Sequence, residues 1–203
     1  MKHNKKDEHL HWREIGSETV LDAHIFSVIR SRRQASDGRT ADYYTMETPD
    51  WANVVALTGN SREECFIMVR QFRHGNMKVC LEFPGGVVEA GEDPGDAVAR
   101  ELEEETGYRP GKMTLLGAIN PNPALMGNRC YTYLAEDCRP VASQNLDPNE
   151  IIDVELVHPT ELLSGRRDEE FDHAMMHVAL RFYEEFLRKK GEKTGAGRIR
   201  TGE

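Results

Sequence analysis

The stretch Gly86–Tyr108, GVVEAGEDPGDAVARELEEETGY, decides how the rest of the chain is read. It opens on Gly86, the second of the pair Gly85-Gly86 that ends a strand-like run, passes a turn, and ends in a helix signature. Asp93 is placed to cap that helix, and Pro94 suits its first position. Gly107 suits its C-terminal stop. Glu101, Glu103, Glu104 and Glu105 crowd the last turns. Glu101, Glu104 and Glu105 have the i, i+3, i+4 spacing that puts three carboxylates on one face. They repel one another by a few tenths of a kcal/mol per pair when solvated, at the negative end of the helix dipole. Arg100 can relieve Glu104 but cannot neutralise three carboxylates. A hard cation with oxygen ligands can, and Mg²⁺ typically takes a few carboxylates together with substrate phosphates. The bland alternative is a solvated acidic face, with Glu103 as ordinary surface charge.

Outward from this helix the pattern is mostly strands. WANVVALT (Trp51–Thr58), CFIMVRQFR (Cys65–Arg73) and VCLEFPGG (Val79–Gly86) precede it, with turns expected at Asn60-Ser61 and Gly75-Asn76. MTLLGAI (Met113–Ile119), RCYTYLAE (Arg129–Glu136) and IIDVELV (Ile151–Val157) follow, with a Pro/Asn-rich loop carrying Pro123 and an acidic loop, QNLDPNE, between them. His158-Pro159-Thr160 reads as a helix start. Residues 172–190 are helical by periodicity, with Met175, Val178, Ala179, Phe182 and Phe186 on one side. Ahead of Trp51, His24–Arg32 and Ala41–Glu47 around Ser36-Asp37-Gly38 predict a strand hairpin. Two helices among many strands predict an α+β layered fold. Its parts are an N-terminal strand region (1–47), a main domain (48–190) and a polar, disordered tail (191–203). Residues 1–10 are charged and expected to be loosely ordered.

A formal net charge of −9 disfavours a nucleic-acid binder. No apolar run is long enough for a membrane helix, and the N-terminus lacks the apolar segment of a secretory signal. Cys65, Cys80, Cys130 and Cys138 show no metal-binding spacing, so they read as free thiols in a reducing, cytoplasmic compartment.

At fixed spacing, Gly86, Glu92, Arg100, Glu101, Leu102, Glu104, Glu105, Gly107 and Tyr108 fill the pattern G-x5-E-x7-R-E-U-x-E-E-x-G-U, where U is bulky and apolar. The stretch resembles the Nudix box, Tyr108 alone departing from the usual aliphatic residue. The resemblance implies a mixed β-sheet sandwiched between helices and hydrolysis of a nucleoside diphosphate derivative. It implies Mg²⁺, with Mn²⁺ as substitute, held by Glu101, Glu104, Glu105 and the Gly85 carbonyl. Arg100 would orient a metal-binding glutamate. VRQFRHG (Val69–Gly75) and LEFPGG (Leu81–Gly86) resemble the VRQYR…LELPAG run of ADP-ribose and ADP-sugar pyrophosphatases, and Pro123 sits where that branch tends to carry a proline. That branch implies AMP and a sugar phosphate as products, and a homodimer joined through the N-terminal strands.

Arg70 and Arg73 are the candidate phosphate contacts, because guanidinium suits bidentate phosphate binding. Trp51 is the candidate base-stacking residue, with Tyr43, Tyr44 and Phe72 as weaker ones. Glu150 is the candidate general base, ahead of Asp147 and Asp153, with Glu104 or Glu105 as the alternative from the box. His173 and His177, four apart on the last helix, read as packing or surface. GDP-mannose, NADH or a damaged nucleotide is the alternative substrate. A nucleotide-sensing module without catalysis is the alternative of another class.

Overall fold

The structure is a computed structural model that describes residues 5–59 and 64–191. The expected turn at Asn60-Ser61 and the expected disordered tail beyond Gly191 lie outside the described residues, as do the first four residues. By its contacts the chain divides into two units. One comprises the residues up to Pro49 with Asn120–Arg129; the other comprises Asp50–Ile119 with the chain from Cys130 onward.

The first unit is a three-stranded antiparallel sheet in the order β1 (Trp12–Asp22), β2 (Ser27–Ala35), β3 (Thr40–Glu47). The predicted hairpin is its β2–β3 half. The third strand, β1, falls within the expected N-terminal strand region but has no separate run there, because WREIGSETVLD lacks a clean alternation and is exposed along almost its whole length. A short 3-10 turn, Lys5–Leu10, precedes it, where loose chain was expected. The Pro/Asn-rich loop joins this unit: the Met46 amide donates to the Leu125 carbonyl (2.7 Å), and Asn128 Nδ2 donates to the Pro49 carbonyl (3.0 Å).

The second unit begins with β4 (Trp51–Thr58), β5 (Cys65–Arg73), β6 (Lys78–Glu82) and β7 (Gly85–Val87), followed by helix α1 (Pro94–Thr106). After α1 come β8 (Tyr108–Arg109), β9 (Lys112–Ile119), β10 (Cys130–Glu136), β11 (Arg139–Pro140) and β12 (Ile152–Val157). Helices α2 (Pro159–Leu163) and α3 (Ala174–Lys189) close the unit. The main sheet runs β12-β5-β4-β10-β9, with β6 beside β5 and β7 beside β4. It is mixed: β4 and β10 are parallel, and the other pairs are antiparallel.

This sheet is buried on both faces, which is why β4 and β5 read as nearly unbroken apolar runs. Alternation assigns their side chains to two cores. Val55, Leu57, Phe66 and Met68 join Leu81, Phe83 and the α3 residues Met176, Ala179 and Tyr183. Val54, Ala56 and Ile67 join the α1 residues Ala97, Val98 and Leu102 on the opposite face. The buried stripe of α3 is thus rotated one position from the predicted one. Met176, Ala179 and Tyr183 are buried, Met175 and Phe186 lie at the margin, and Phe182 covers Gly117 of β9.

One departure from the predicted strands positions everything that follows. The run Val79–Gly86 is not one strand. β6 ends at Glu82 on β5, and the chain crosses at Phe83-Pro84 to pair as β7 with β4. The crossing is fixed where the Val54 amide donates to the Pro84 carbonyl (2.9 Å). It delivers Gly85-Gly86 to the side of α1. The helix itself forms as read: Asp93 accepts from the Gly95 amide (2.8 Å), Pro94 is its first residue, and Gly107 stops it at φ 74°. A β-carbon at Gly107 would stand 2.2 Å from the Ala142 carbonyl, so both dihedral and space require glycine there.

Candidate active site

The acidic face of α1 lies against Gly85-Gly86. Glu105 is 3% exposed, and its carboxylate accepts from the Gly85 amide at 3.0 Å. A β-carbon at Gly86 would stand 2.5 Å from the Glu101 carboxyl group, so this glycine makes room for that side chain. Burial pushes the Glu105 carboxyl up to about 8, with the charges of Glu101 and Glu150 adding to the effect. Burial also raises Glu101, with Glu104 and Glu150 contributing. Glu150, on the exposed loop ahead of β12, is therefore brought into electrostatic reach of both. The loop is tied down by Gln144, whose Nε2 donates to the Glu105 (2.7 Å) and Ile152 (3.0 Å) carbonyls, and by the Asn145 amide on the Glu104 carbonyl (2.8 Å). The Asp147 amide donates to the Glu150 carboxylate (3.2 Å).

Arg100 sits among the carboxylates. Its Nη1 contacts Glu101 (2.9 Å) and Glu104 (3.0 Å), and its Nε and Nη2 both reach Glu92 at 3.2 Å. Glu103 turns away to Arg109, as a bystander would.

The donor set suits a hard divalent cation. Burial raises the carboxyls of both Glu101 and Glu105 above their ordinary range, and nearby negative charge is part of the cause. A cation at this face would reverse both shifts, and all donors are oxygen, the chemistry that Mg²⁺ and Mn²⁺ prefer. As the side chains stand, no three Asp, Glu, His or Cys groups converge on one point among the described residues, and Arg100 occupies Glu101 and Glu104. The Gly85 amide is committed to Glu105, and the carbonyl was the group assigned to metal in the sequence reading.

The two candidate arginines part company. They stand three apart on β5, so their side chains leave opposite faces. Arg73 faces the box side: Glu105 feels its charge, and its guanidinium grips Glu82 through Nε–Oε1 (2.8 Å) and Nη2–Oε2 (2.5 Å). Arg70 lies in a different cluster, paired with Glu155 (3.4 Å) and with Glu170, beside Arg167. The structure does not bring Arg70 to the acidic face; its strand direction carries it to the α3 side.

A cavity of about 360 Å³ opens beside Gly85-Gly86. Trp51, Phe83, Met175 and Met176 give it apolar walls, and Asn53, Arg73 and His173 supply polar groups. Apolar walls with a few convergent polar groups are typical of small-molecule sites. Two residues here are not among the expected site residues: Glu82, and His173, which reads from the sequence as packing or surface. Glu82 is wholly buried, yet Arg73 and His173 hold its carboxyl down at about 2 against the cost of desolvation. His173 reaches it through Nδ1 at 3.2 Å. A charged residue just before the Pro84 crossing was the available signal for Glu82; nothing local pointed to His173.

A mixed sheet between helices, with a glycine cradle set against a glutamate-bearing helix, defines a hydrolase fold of the kind the box implied. Residues 48–178 match the NUDIX domain family, and the chain belongs to that family. It is a Nudix hydrolase, and proteins named ADP-ribose and ADP-sugar pyrophosphatases are among its relatives. The chain is 30% identical over 142 residues to an ADP-ribose pyrophosphatase of Bacillus subtilis, covering 70% of this chain and 72% of the relative. It is 45% identical over 81 residues to an ADP-sugar pyrophosphatase of Mus musculus, covering 40% and 36%. It is 26% identical over 176 residues to the ADP compounds hydrolase NudE of Escherichia coli, covering 86% and 92%. A crystal structure of an ADP compounds hydrolase superposes with a TM-score of 0.76 at 24% identity, covering 90% of this chain and 97% of that one, which speaks to the fold.

Proposed function

We propose that this protein hydrolyses the diphosphate linkage of ADP-ribose or an ADP-sugar, releasing AMP and a sugar phosphate, with Mg²⁺ as its cation. The observation that carries this reading is that Glu101 and Glu105 pack against Gly85-Gly86, with Glu150 in electrostatic reach of both, beside a cavity that the same glycines and Arg73 line. The names of the relatives supply the substrate class, since the box alone would also serve GDP-mannose, NADH or a damaged nucleotide.

In this reading Glu101, Glu104 and Glu105, with the Gly85 carbonyl, hold the cation. Bound there, the cation polarises phosphoryl oxygens and acidifies water. Arg100 braces Glu101 and Glu104 and keeps them aligned when the cation is absent. Arg73 faces the diphosphate and offsets its charge, and Glu82 fixes the direction of the guanidinium. Trp51 forms a wall against which a flat or sugar group lies. Glu150, exposed and held on its loop by the Asp147 amide, orients the attacking water and takes its proton.

Incubating the protein with ADP-ribose should release AMP when Mg²⁺ is supplied and not in a chelator. Glu150→Gln should lower turnover by about a hundredfold, within the usual range for loss of a general base, while Mg²⁺ affinity stays close to that of the unaltered protein. Turnover at the original rate in this variant would remove Glu150 from the mechanism. Absence of metal-stimulated cleavage across ADP-sugars, GDP-mannose, NADH and nucleoside triphosphates would favour a nucleotide sensor.

The three-stranded unit is proposed as a dimerisation arm. Ile15, Val20, Leu21, Ile25, Tyr43 and Tyr44 are exposed on it, more apolar surface than one small sheet ordinarily leaves in water. Light scattering should give a mass near twice the 23.1 kDa of the chain, and a monomer would refute the arm. The four cysteines are free and no described helix is long and apolar enough to cross a membrane, features that fit a reducing, cytoplasmic setting.

A further inference from the structure

His158 and His173 both stand at helix N-caps, and they behave differently. His158 caps its own helix, its Nδ1 accepting from the Thr160 amide at 3.3 Å. His173 precedes the much longer α3 and makes no side-chain cap bond to it. Its imidazole is turned away, toward Glu82 of β6, at 3.2 Å from Nδ1. The contact is close but bent, short of a straight hydrogen bond, and no other partner reaches that buried nitrogen. Asparagine, aspartate or serine would cap α3 more favourably. The chain therefore forgoes a cap in order to hold this ring elsewhere.

Where it is held has consequences. Glu82 is wholly buried and gripped by Arg73, so its carboxylate is ionised and fixed. An ionised carboxylate only accepts, so Nδ1 facing it carries the proton. In the neutral ring Nε2 is then a bare acceptor. His173 keeps about 30% of its side chain exposed and lines the cavity beside Arg73, Met175 and Met176. An acceptor at this place rejects a phosphate oxygen, which has no proton to give, and takes a hydroxyl. In the diphosphatase reading Arg73 and the glycine cradle meet the diphosphate, and His173 lines the same cavity.

We propose that His173 is a specificity-determining residue, whose Nε2 accepts a hydrogen bond from a sugar hydroxyl of the substrate, with Glu82 and Arg73 positioning the ring. This rests on the diphosphatase reading above. The sugar has two sources, the terminal sugar and the ribose of the adenosine.

The test pairs a tautomer measurement with a specificity measurement. Nitrogen-15 spectra of the unaltered protein should show His173 as the Nδ1–H tautomer; an Nε2–H tautomer would overturn the proposal whatever the enzyme cleaves. His173→Asn withdraws the imidazole and supplies a better cap, so the variant should fold. If the hydroxyl is the terminal sugar's, the variant should lower the preference for ADP-ribose over the ethyl ester of ADP, in kcat/KM, by about tenfold, the worth of one lost hydrogen bond; if it is the adenosine's, the preference for ADP-ribose over 2′-deoxyadenosine diphosphate ribose should fall by that factor instead. A preserved preference for ADP-ribose over 2′-deoxyadenosine diphosphate ribose then assigns the hydroxyl to the terminal sugar, and its loss assigns it to the adenosine. Equal loss on all three substrates would mark the residue as merely structural and overturn the proposal, as would no loss on any. If the unaltered protein cleaves none of them, the diphosphatase reading fails first, and the tautomer still decides whether Nε2 is an acceptor.

Discussion

Glu105→Gln is expected to reduce metal-supported turnover by about three orders of magnitude or more, comparable to removing a preorganised electrostatic group from an active site. The same substitution should make the metal-free protein more stable at alkaline pH. Burial raises the Glu105 carboxyl to about 8, well above its ordinary value of 4.5. A group raised on folding contributes stability that is present below its unfolded value and lost as pH climbs through the folded one. Metal-free protein should therefore weaken between about pH 4.5 and pH 8, by on the order of 5 kcal/mol at most. Glutamine mimics the protonated acid, keeps an acceptor for the Gly85 amide, and should flatten that slope. Urea unfolding in a chelator at pH 6 and pH 9 reads the difference. Adding Mg²⁺ should restore the unaltered protein at pH 9 and leave the variant where it was. A variant that is less stable than the parent at pH 9 without metal would contradict this account of Glu105.

Glu82→Gln is the second large effect, and it acts in the opposite pH range. Arg73 and His173 hold the Glu82 carboxyl down at about 2. A depressed carboxyl contributes stability that is present above about pH 4.5 and lost as pH falls toward 2. Breaking a buried ion pair by removing one partner typically costs about 3–5 kcal/mol. Arg73 keeps 42% of its side chain in solvent, so solvent screening brings the expected cost at pH 7 below that range, to about 2–3 kcal/mol. The variant should also lose the acid limb of its stability profile between pH 4.5 and pH 2. With its clamp gone, Arg73 should bind the diphosphate less well, raising KM for ADP-ribose more than it lowers kcat. A variant with unaltered stability and KM would show that the Arg73–Glu82 pair positions nothing.

The parts of the fold and site that were legible in the sequence are those in which local chemistry and final structure agree. Asp93, Pro94 and Gly107 bound α1 because capping depends on neighbours a few residues away. The strands Trp51–Thr58 and Cys65–Arg73 were readable because burial on both faces leaves an apolar run. The facing of Glu101, Glu104 and Glu105 follows from helix geometry. What was not legible depends on contacts made across the fold. Arg70 and Arg73 looked equivalent by motif, and only strand alternation and the identity of their partners separate them. The charge of Glu82 just before Pro84 marks the position, but not that its carboxylate is the buried hub of two other elements. His173 reads as packing or surface beside His177, because its partner Glu82 lies far away in sequence. The bounds of β1, within the expected strand region, were not legible for the opposite reason: with almost all of it exposed, no buried face imposes a pattern.

The most direct measurement is a Mn²⁺ titration followed by electron paramagnetic resonance, with the unaltered protein and Glu105→Gln compared at the same pH. Loss of the free-ion signal in the unaltered protein, a much weaker loss in the variant, and competition by Mg²⁺ would place the cation at the glycine cradle. No binding to the unaltered protein, or equal binding to both, would contradict the assignment of this helix face as a metal site.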